Sequence, residues 1–260
     1  MSILDQLADY ARQRVTAARA ARPMAVMRRE ALEMPKGDFP FERALSGEAL
    51  AFICECKKAS PSRGLIAPDF PYLEIAGDYA AAGAEAISVL TEPKWFLGRD
   101  EYLLEIAARV SVPCLRKDFT VDEYMLYEAK LLGASAALLI CVILDGAQLT
   151  DYIQICDGLG LSALVEAHDG AEVEAALGAG ARIIGVNNRN LKDFTVDADN
   201  SRRLRAMIPE GVLFVSESGV KDAGDIQAAR KMGADAVLVG ETLMRAKDRR
   251  AKLRELRGGV

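Results

Sequence analysis

The sequence predicts an α/β protein, a single closed (β/α)8 TIM barrel with an N-terminal helical extension, and three observations carry that expectation. Eight short apolar or β-branched runs recur with starts 21 to 35 residues apart, helical patterns fill the gaps between them, and several of those helices end in the same glycine-centred phrase. Alternation of this kind specifies parallel βα units. The chain is 260 residues long, which suits a barrel of about 250 residues that leaves no strand edge unpaired.

At the N-terminus, residues 3–18 set Ile3, Leu4, Leu7, Ala8, Ala11 and Val15 on one helical face, and Pro23, Pro35, Gly37 and Pro40 punctuate the stretch leading to the first strand. Residues 1–50 are therefore expected as a helical extension packed on the barrel and residues 51–260 as the barrel itself, together one domain. The expected strands are Ala51–Cys56, Ala86–Leu90, Val112–Leu115, Ala136–Cys141, Leu161–Glu166, Arg182–Val186, Val212–Val215 and Asp235–Val239. Helical spacing covers Tyr72–Ala82, Tyr102–Arg109, Val121–Leu132, Leu149–Leu159, Ala171–Ala179 and Asp222–Met232. The phrases Ala82-Gly83-Ala84, Leu132-Gly133-Ala134, Ala179-Gly180-Ala181 and Met232-Gly233-Ala234 supply a left-handed residue after a helix and a small residue entering a buried strand. Arg245–Arg257 reads as a solvated final helix anchored by Leu253 and Leu256, with a frayed glycine-rich end.

Composition removes several classes of function. Apolar residues make up 51% of the chain and charged residues 27%, which excludes a disordered chain. With 33 basic against 38 acidic side chains the net charge is −5, which argues against a general nucleic-acid binder. An anionic ligand must then meet locally placed cations. The longest uncharged apolar stretch, Ala134–Leu144, is too short to cross a bilayer, and the N-terminus lacks the basic-then-apolar order of a secretory signal. A cytoplasmic protein without a membrane partner is expected. The cysteines Cys54, Cys56, Cys114, Cys141 and Cys156 are an odd, scattered set without a CxxC, which disfavours a disulfide scaffold or a zinc site, and no metal is expected. A single histidine, His168, leaves proton chemistry to Lys, Glu and Asp, and is expected only to cap or decorate a loop.

Barrel active sites are built on the C-terminal ends of the strands, and here those ends are polar on one side. Strand 1 ends in Glu55-Cys56-Lys57-Lys58, strand 3 in Arg116-Lys117-Asp118-Phe119, strand 5 at Glu166, strand 6 in Asn187-Asn188-Arg189-Asn190, strand 7 in Glu217-Ser218-Gly219 and strand 8 in Gly240-Glu241. Alternation turns Glu55 and Lys57 into the barrel and Cys56 outward. An inward charge is costly unless paired or used; a structural Lys57–Glu166 ion pair is the plainest alternative use. The glycines after strands 7 and 8 let backbone N–H groups approach an anion, the usual phosphate position in such barrels. Trp95 and Phe96, after strand 2, are either a helix-packing pair or an aromatic wall for a planar substrate.

The segment Glu55-Cys56-Lys57-Lys58-Ala59-Ser60-Pro61-Ser62-Arg63-Gly64 closely resembles the first-strand signature of the indole-3-glycerol phosphate synthase family of tryptophan biosynthesis. Leu115-Arg116-Lys117-Asp118-Phe119, Leu164-Val165-Glu166-Ala167-His168, the run from Gly185 to Leu191, Ser216-Glu217-Ser218-Gly219 and the run from Val239 to Met244 resemble its remaining motifs, in order. The resemblance implies conversion of 1-(2-carboxyphenylamino)-1-deoxyribulose 5-phosphate to indole-3-glycerol phosphate with loss of carbon dioxide and water. It also implies roles. Lys117 becomes the general acid at the substrate carbonyl, with Glu166 its partner in proton transfer; Lys57 meets a substrate anion or serves the dehydration with Glu55. Asn187 and Arg189 orient polar groups, and Ser60 and Ser218 donate hydrogen bonds. Phe96, Phe119 and Glu217 complete the substrate-binding set, and Gly219, Gly240 and Glu241 offer N–H groups to the phosphate.

On this reading a small phosphorylated molecule is the partner, no cofactor is needed, and a monomer is expected. Two alternatives remain open at this level. A Schiff-base aldolase acting through Lys57 or Lys117 would explain the lysines. A noncatalytic sugar-phosphate binding protein would leave the carboxylates of strands 1 and 5 unexplained.

Overall fold

The computed structural model of the chain describes residues 2–190, 194–197 and 199–258; Leu191 and the glycine-rich end at Gly259 lie outside the described residues. Among the described residues eight parallel strands close a barrel: β1 Ala51–Cys56, β2 Ala86–Leu90, β3 Cys114–Lys117, β4 Ala136–Ile140, β5 Ser162–Ala167, β6 Ile183–Asn187, β7 Leu213–Glu217 and β8 Ala236–Val239. Closure is visible at β1, where Cys54 faces Ile87 of β2 on one side and Val239 of β8 on the other.

Because successive strand residues point to opposite faces, each strand feeds two separate apolar clusters. Ile53, Leu115, Leu138, Leu164, Val215 and Leu238 fill the barrel interior. Phe52, Ile87, Leu139, Val165, Phe214 and Val237 face the surrounding helices. The five cysteines are buried free thiols in that outer cluster, and burial pushes those of Cys114, Cys141 and Cys156 up to about 12. They are packing residues.

The helices are α1 Ile3–Ala21, α2 Met24–Glu33, α3 Pro40–Leu45, α4 Tyr72–Ala81, α5 Asp100–Arg109, α6 Tyr124–Leu131, α7 Gly146–Leu159, α8 Gly170–Gly178, α9 Asp199–Arg205, α10 Ala223–Lys231, α11 Glu241–Met244 and α12 Arg249–Arg257. A capping box starts α1, with Ser2 and Asp5 each accepting the other's backbone N–H. Its apolar face packs toward α6, where Tyr124 Oη lies 3.3 and 3.1 Å from the carbonyls of Ala18 and Arg22. Phe41 and Leu45 of α3 join the inner cluster and stopper the barrel at the N-terminal end of its strands. The four helix-ending glycines take positive φ as the sequence requires, 87° at Gly83, 81° at Gly133, 88° at Gly180 and 76° at Gly233.

Three expectations need correction. The apolar pattern puts strand 3 at Val112–Leu115, but the strand runs Cys114–Lys117, so Lys117 is its last residue rather than one beyond it. The apolar run misleads because Arg116 faces outward into a buried pocket, bonded to Asp100 at 2.8 Å, Glu128 at 2.6 Å and the Met125 carbonyl at 2.9 Å. Arg116 is thus a structural cation rather than a residue of the rim. The expected tail helix Arg245–Arg257 begins only at Arg249, as α12, with Asp248 as its N-cap, the side chain accepting the Ala251 N–H at 2.8 Å, and a separate short α11 precedes it. Helix α9 and a two-residue hairpin, Ala59–Ser60 with Gly64–Leu65, are additions that the sequence pattern does not announce.

Candidate active site

The strand ends open into a cavity of about 660 Å³. Glu55, Lys57, Ser60, Phe96, Lys117, Phe119, Glu166, Asn187, Arg189, Glu217, Ser218, Gly219, Gly240 and Glu241 all line it. Alternation explains the convergence: Glu55, Lys117, Glu166, Asn187 and Glu217 are the topmost inward residues of β1, β3, β5, β6 and β7.

Two lysine–carboxylate pairs divide this floor. Lys57 Nζ bonds Glu55 Oε1, and Lys117 Nζ stands 3.6 Å from Glu166 Oε2, an ion-pair rather than a hydrogen-bond distance. The Lys57–Glu166 pair that the sequence allowed is not the one formed. A Cβ at Gly240 would run into the Glu55 carboxylate and stand 3.0 Å from Lys57 Nζ. Lys57 therefore lies against the end of β8, and a glycine there leaves room for its pair.

The second pair is electrostatically coupled to Glu217. Burial alone lowers the Lys117 pKa, but the facing carboxyl groups, Glu166 foremost and then Glu217 and Glu55, outweigh it and favour the ammonium. Burial alone raises Glu166, yet Lys117, His168 and the side chains of Asn187 and Glu217 bring it below the ordinary carboxylate range. Glu217 goes the other way: burial and the facing Glu166 charge push it well up against the pull of Lys117. The floor thus sets an ammonium and a carboxylate beside a carboxyl group biased toward its protonated form.

The aromatic wall depends on a residue that sequence reasoning missed. Glu92, fully buried, accepts the backbone N–H groups of Lys94, Trp95 and Phe96 at 2.9, 2.8 and 2.9 Å. The loop so curled sets Phe96 6.0 Å from Phe119, while Trp95 turns away to meet Tyr10 of α1 edge-on at 5.6 Å. The pair is split, with Phe96 in the cavity and Trp95 in helix packing.

At the other side, Ser218 and Gly219 have φ of 67° and 97°, consecutive left-handed residues directly after β7. Glu241 is held between Arg63 and Arg245 at 3.1 and 3.0 Å, and Lys221 lines the same region. These are the local cations that the overall acidity requires, and strand-end reasoning passes over them, although Arg63 stands within the first-strand motif. Asn187 Oδ1 accepts the Arg189 N–H at 3.0 Å, which fixes the turn that carries Arg189. Ile3, Leu4 and Leu7 of α1, which the sequence marks only as a packing face, line the mouth.

His168 does more than decorate a loop. Its Nε2 is 3.4 Å from Glu166 Oε1 and its Nδ1 3.1 Å from Glu172 Oε2. Among the described residues no group of three or more His, Cys, Asp or Glu side chains could hold a metal ion, and no helix is long and apolar enough to cross a membrane.

With that geometry in place, three comparisons bear on it. The family model for indole-3-glycerol phosphate synthase matches residues 4–256. An indole-3-glycerol phosphate synthase from Ruminiclostridium cellulolyticum is 56% identical over 259 residues, covering 99% of this chain and 100% of that one. One from Leuconostoc mesenteroides is 48% identical, covering 98% and 99%. Among solved structures, a 3-hexulose-6-phosphate synthase from Salmonella typhimurium aligns with a TM-score of 0.65 at 15% identity over 80% of this chain and 97% of that one. At that identity the likeness speaks for the fold alone.

Proposed function

The chain belongs to the indole-3-glycerol phosphate synthase family, and from that premise we propose how its site carries out the reaction. The protein is a carboxy-lyase of tryptophan biosynthesis acting on a small phosphorylated substrate. In the reaction the substrate ring carbon bearing the carboxylate attacks the ketone carbon, whose oxygen takes up a proton; carbon dioxide leaves and returns its electron pair to the ring, and the resulting hydroxyl departs as water while the adjacent carbon that bears the nitrogen loses a proton to form the indole double bond.

The single observation that carries the assignment of roles is the Lys117–Glu166 pair at 3.6 Å on the cavity floor. Lys117 gives its proton to the ketone oxygen as the carbon–carbon bond forms, and Glu166 steadies the ammonium beforehand and takes part in returning the proton. Lys57, against the end of β8, meets a substrate anion and with Glu55 serves the dehydration. Phe96 and Phe119 flank the aryl ring. Ser60 and Ser218 donate hydrogen bonds, Asn187 and Arg189 orient the polar groups, and Glu217, biased by burial and the Glu166 charge toward its protonated form, offers a proton donor to a hydroxyl.

The phosphate sits by the N–H groups of Gly219, Gly240 and Glu241. The Glu241 carboxylate would repel it, but Arg63 and Arg245 flank that carboxylate and leave the corner net positive. A Schiff-base route needs a free lysine amine, and the carboxylates around Lys117 favour its ammonium instead. The chemistry is acid–base throughout, so the reading needs no cofactor or metal. Residues 1–50 act as part of the one catalytic domain, in a cytoplasmic monomer.

Purified protein given the carboxyphenylamino substrate is expected to form indole-3-glycerol phosphate, followed by the fluorescence of its indole ring, and Lys117→Met to lower kcat by about 10²- to 10⁴-fold. A folded Lys117→Met enzyme with near-normal kcat removes Lys117 from the role of acid.

A further inference from the structure

His168 lies on the loop between β5 and α8, outside the cavity lining but in line with its floor. Its ring bridges two carboxylates, 3.4 Å from Glu166 on one side and 3.1 Å from Glu172 on the other. The bridge is built rather than incidental. Glu172 is the third residue of α8 and also accepts the His168 backbone N–H at 2.8 Å, so ring and backbone are held by one side chain. From α9, Asn200 donates to the His168 carbonyl at 3.0 Å. The side chain of His168 is 18% exposed, that of Glu166 only 2%, so the interaction is little screened by water.

We infer that His168 is a positioning residue for Glu166, the middle of a row Lys117–Glu166–His168–Glu172 that runs from the cavity floor to the first turn of α8 and keeps the Glu166 carboxylate charged and aimed at Lys117. The row works because charges alternate along it: ammonium, carboxylate, imidazolium, carboxylate. Burial disfavours the charged ring, but the Glu172 hydrogen bond and the two carboxylates outweigh it, and only Lys117 opposes them, so the imidazolium persists above the usual histidine range. The neighbouring thiol of Cys141, on the turn after β4, is pushed up to about 12 and stays neutral. Glu166 also faces the Glu217 carboxyl and the Asn187 side chain; removing the ring would leave it, among the described residues, with Lys117 as its adjacent cation, and its pKa would rise.

The inference rests on Glu166 as the proton partner, and the experiment separates the two. His168→Asn keeps a donor near the Nδ1 position toward Glu172 but takes the ring and its charge away from Glu166. The acid limb of the kcat–pH profile is expected to move up by about one pH unit, the low end of the effect of an adjacent opposite charge. Alongside, kcat at the plateau falls severalfold while KM stays within about twofold, since the loss lies in proton transfer rather than binding. Glu172→Gln, which weakens the imidazolium while keeping an acceptor for the backbone, moves the limb in the same direction by less, and it carries the test if His168→Asn does not fold. A limb that stays in place in both variants overturns the inference, even if thermal stability drops, because a purely structural histidine would lower stability without moving the limb. If Glu166→Gln itself keeps wild-type kcat, the role of Glu166 fails first.

Discussion

Asp118 accepts both terminal nitrogens of Arg14, at 3.0 and 2.6 Å, and so ties the N-terminal helix to the residue next to Lys117. Thr91 Oγ1 and the Phe119 backbone N–H donate to the same carboxylate at 2.6 and 2.7 Å. The extension is therefore fastened to the site at one buried anion. Its own mouth residues, Ile3, Leu4 and Leu7, reach the cavity on the strength of that fastening.

The Asp118 side chain is 1% exposed and that of Arg14 21%, so Arg14→Met is expected to cost about 3 kcal/mol, the low end for breaking a buried pair. Burial raises the Asp118 pKa but Arg14 lowers it further, leaving it below the ordinary value. A depressed carboxylate stabilises above its unfolded pKa of about 3.9 and loses that contribution as pH falls through the folded value. The gap between variant and wild type in urea midpoint thus closes in acid, where protonated Asp118 needs no cation. Equal midpoints at neutral pH would refute the anchor, and a raised KM would trace it to the mouth of the cavity.

Glu166→Gln is expected to leave KM within a small factor and to depress kcat strongly, because the amide fits the space but cannot accept a proton. A raised KM with intact kcat would make Glu166 a binding residue. Loss of the fold instead would mean that the Lys117–Glu166 pair is structural.

Glu217→Gln is expected to stabilise the protein as pH rises. The native Glu217 pKa stands well above the unfolded one through burial and the Glu166 charge, so the native state binds the extra proton between the two values. Stability contributed this way falls as pH climbs from about 4.3 toward the folded pKa. An amide has no proton to lose, so the variant's urea midpoint declines less with pH than that of wild type over this window. Parallel declines would place the proton elsewhere.

The phosphate corner calls for a cycle rather than a single variant. With φ of 97°, Gly219 strains any side chain placed there, so Gly219→Ala lowers Tm on backbone grounds alone. Combining that variant with a dephosphorylated substrate isolates the phosphate term. The expected result is that losing the phosphate costs less in the variant than in wild type. Strictly additive losses would show that the phosphate binds away from Gly219.

The barrel was legible because its signals are periodic and local: apolar runs, helix spacing and the glycines at 83, 133, 180 and 233 all repeat. The line of β3 was not, because Arg116 reads as a rim charge until Asp100 and Glu128 are brought to it by the fold. Helix α9 escaped because only Ser201 and Leu204 of its seven residues are buried, too few to draw a stripe. The candidate site residues announced themselves as charges at strand ends. What stayed hidden were partnerships across the chain: Glu92 beneath the aromatic loop, Arg63 with Glu241, and His168 behind Glu166. Residue type gives the capacity for such contacts, and tertiary placement gives the partner.

The stopper of Phe41 and Leu45 at the foot of the barrel makes the chamber a cul-de-sac. Traffic through it is consequently two-way: carbon dioxide, water and the finished indole-3-glycerol phosphate depart through the doorway by which the substrate came in, along a wall that includes Ile3, Leu4 and Leu7. Turnover there resembles a queue, in which each newcomer waits for the previous occupant to back out.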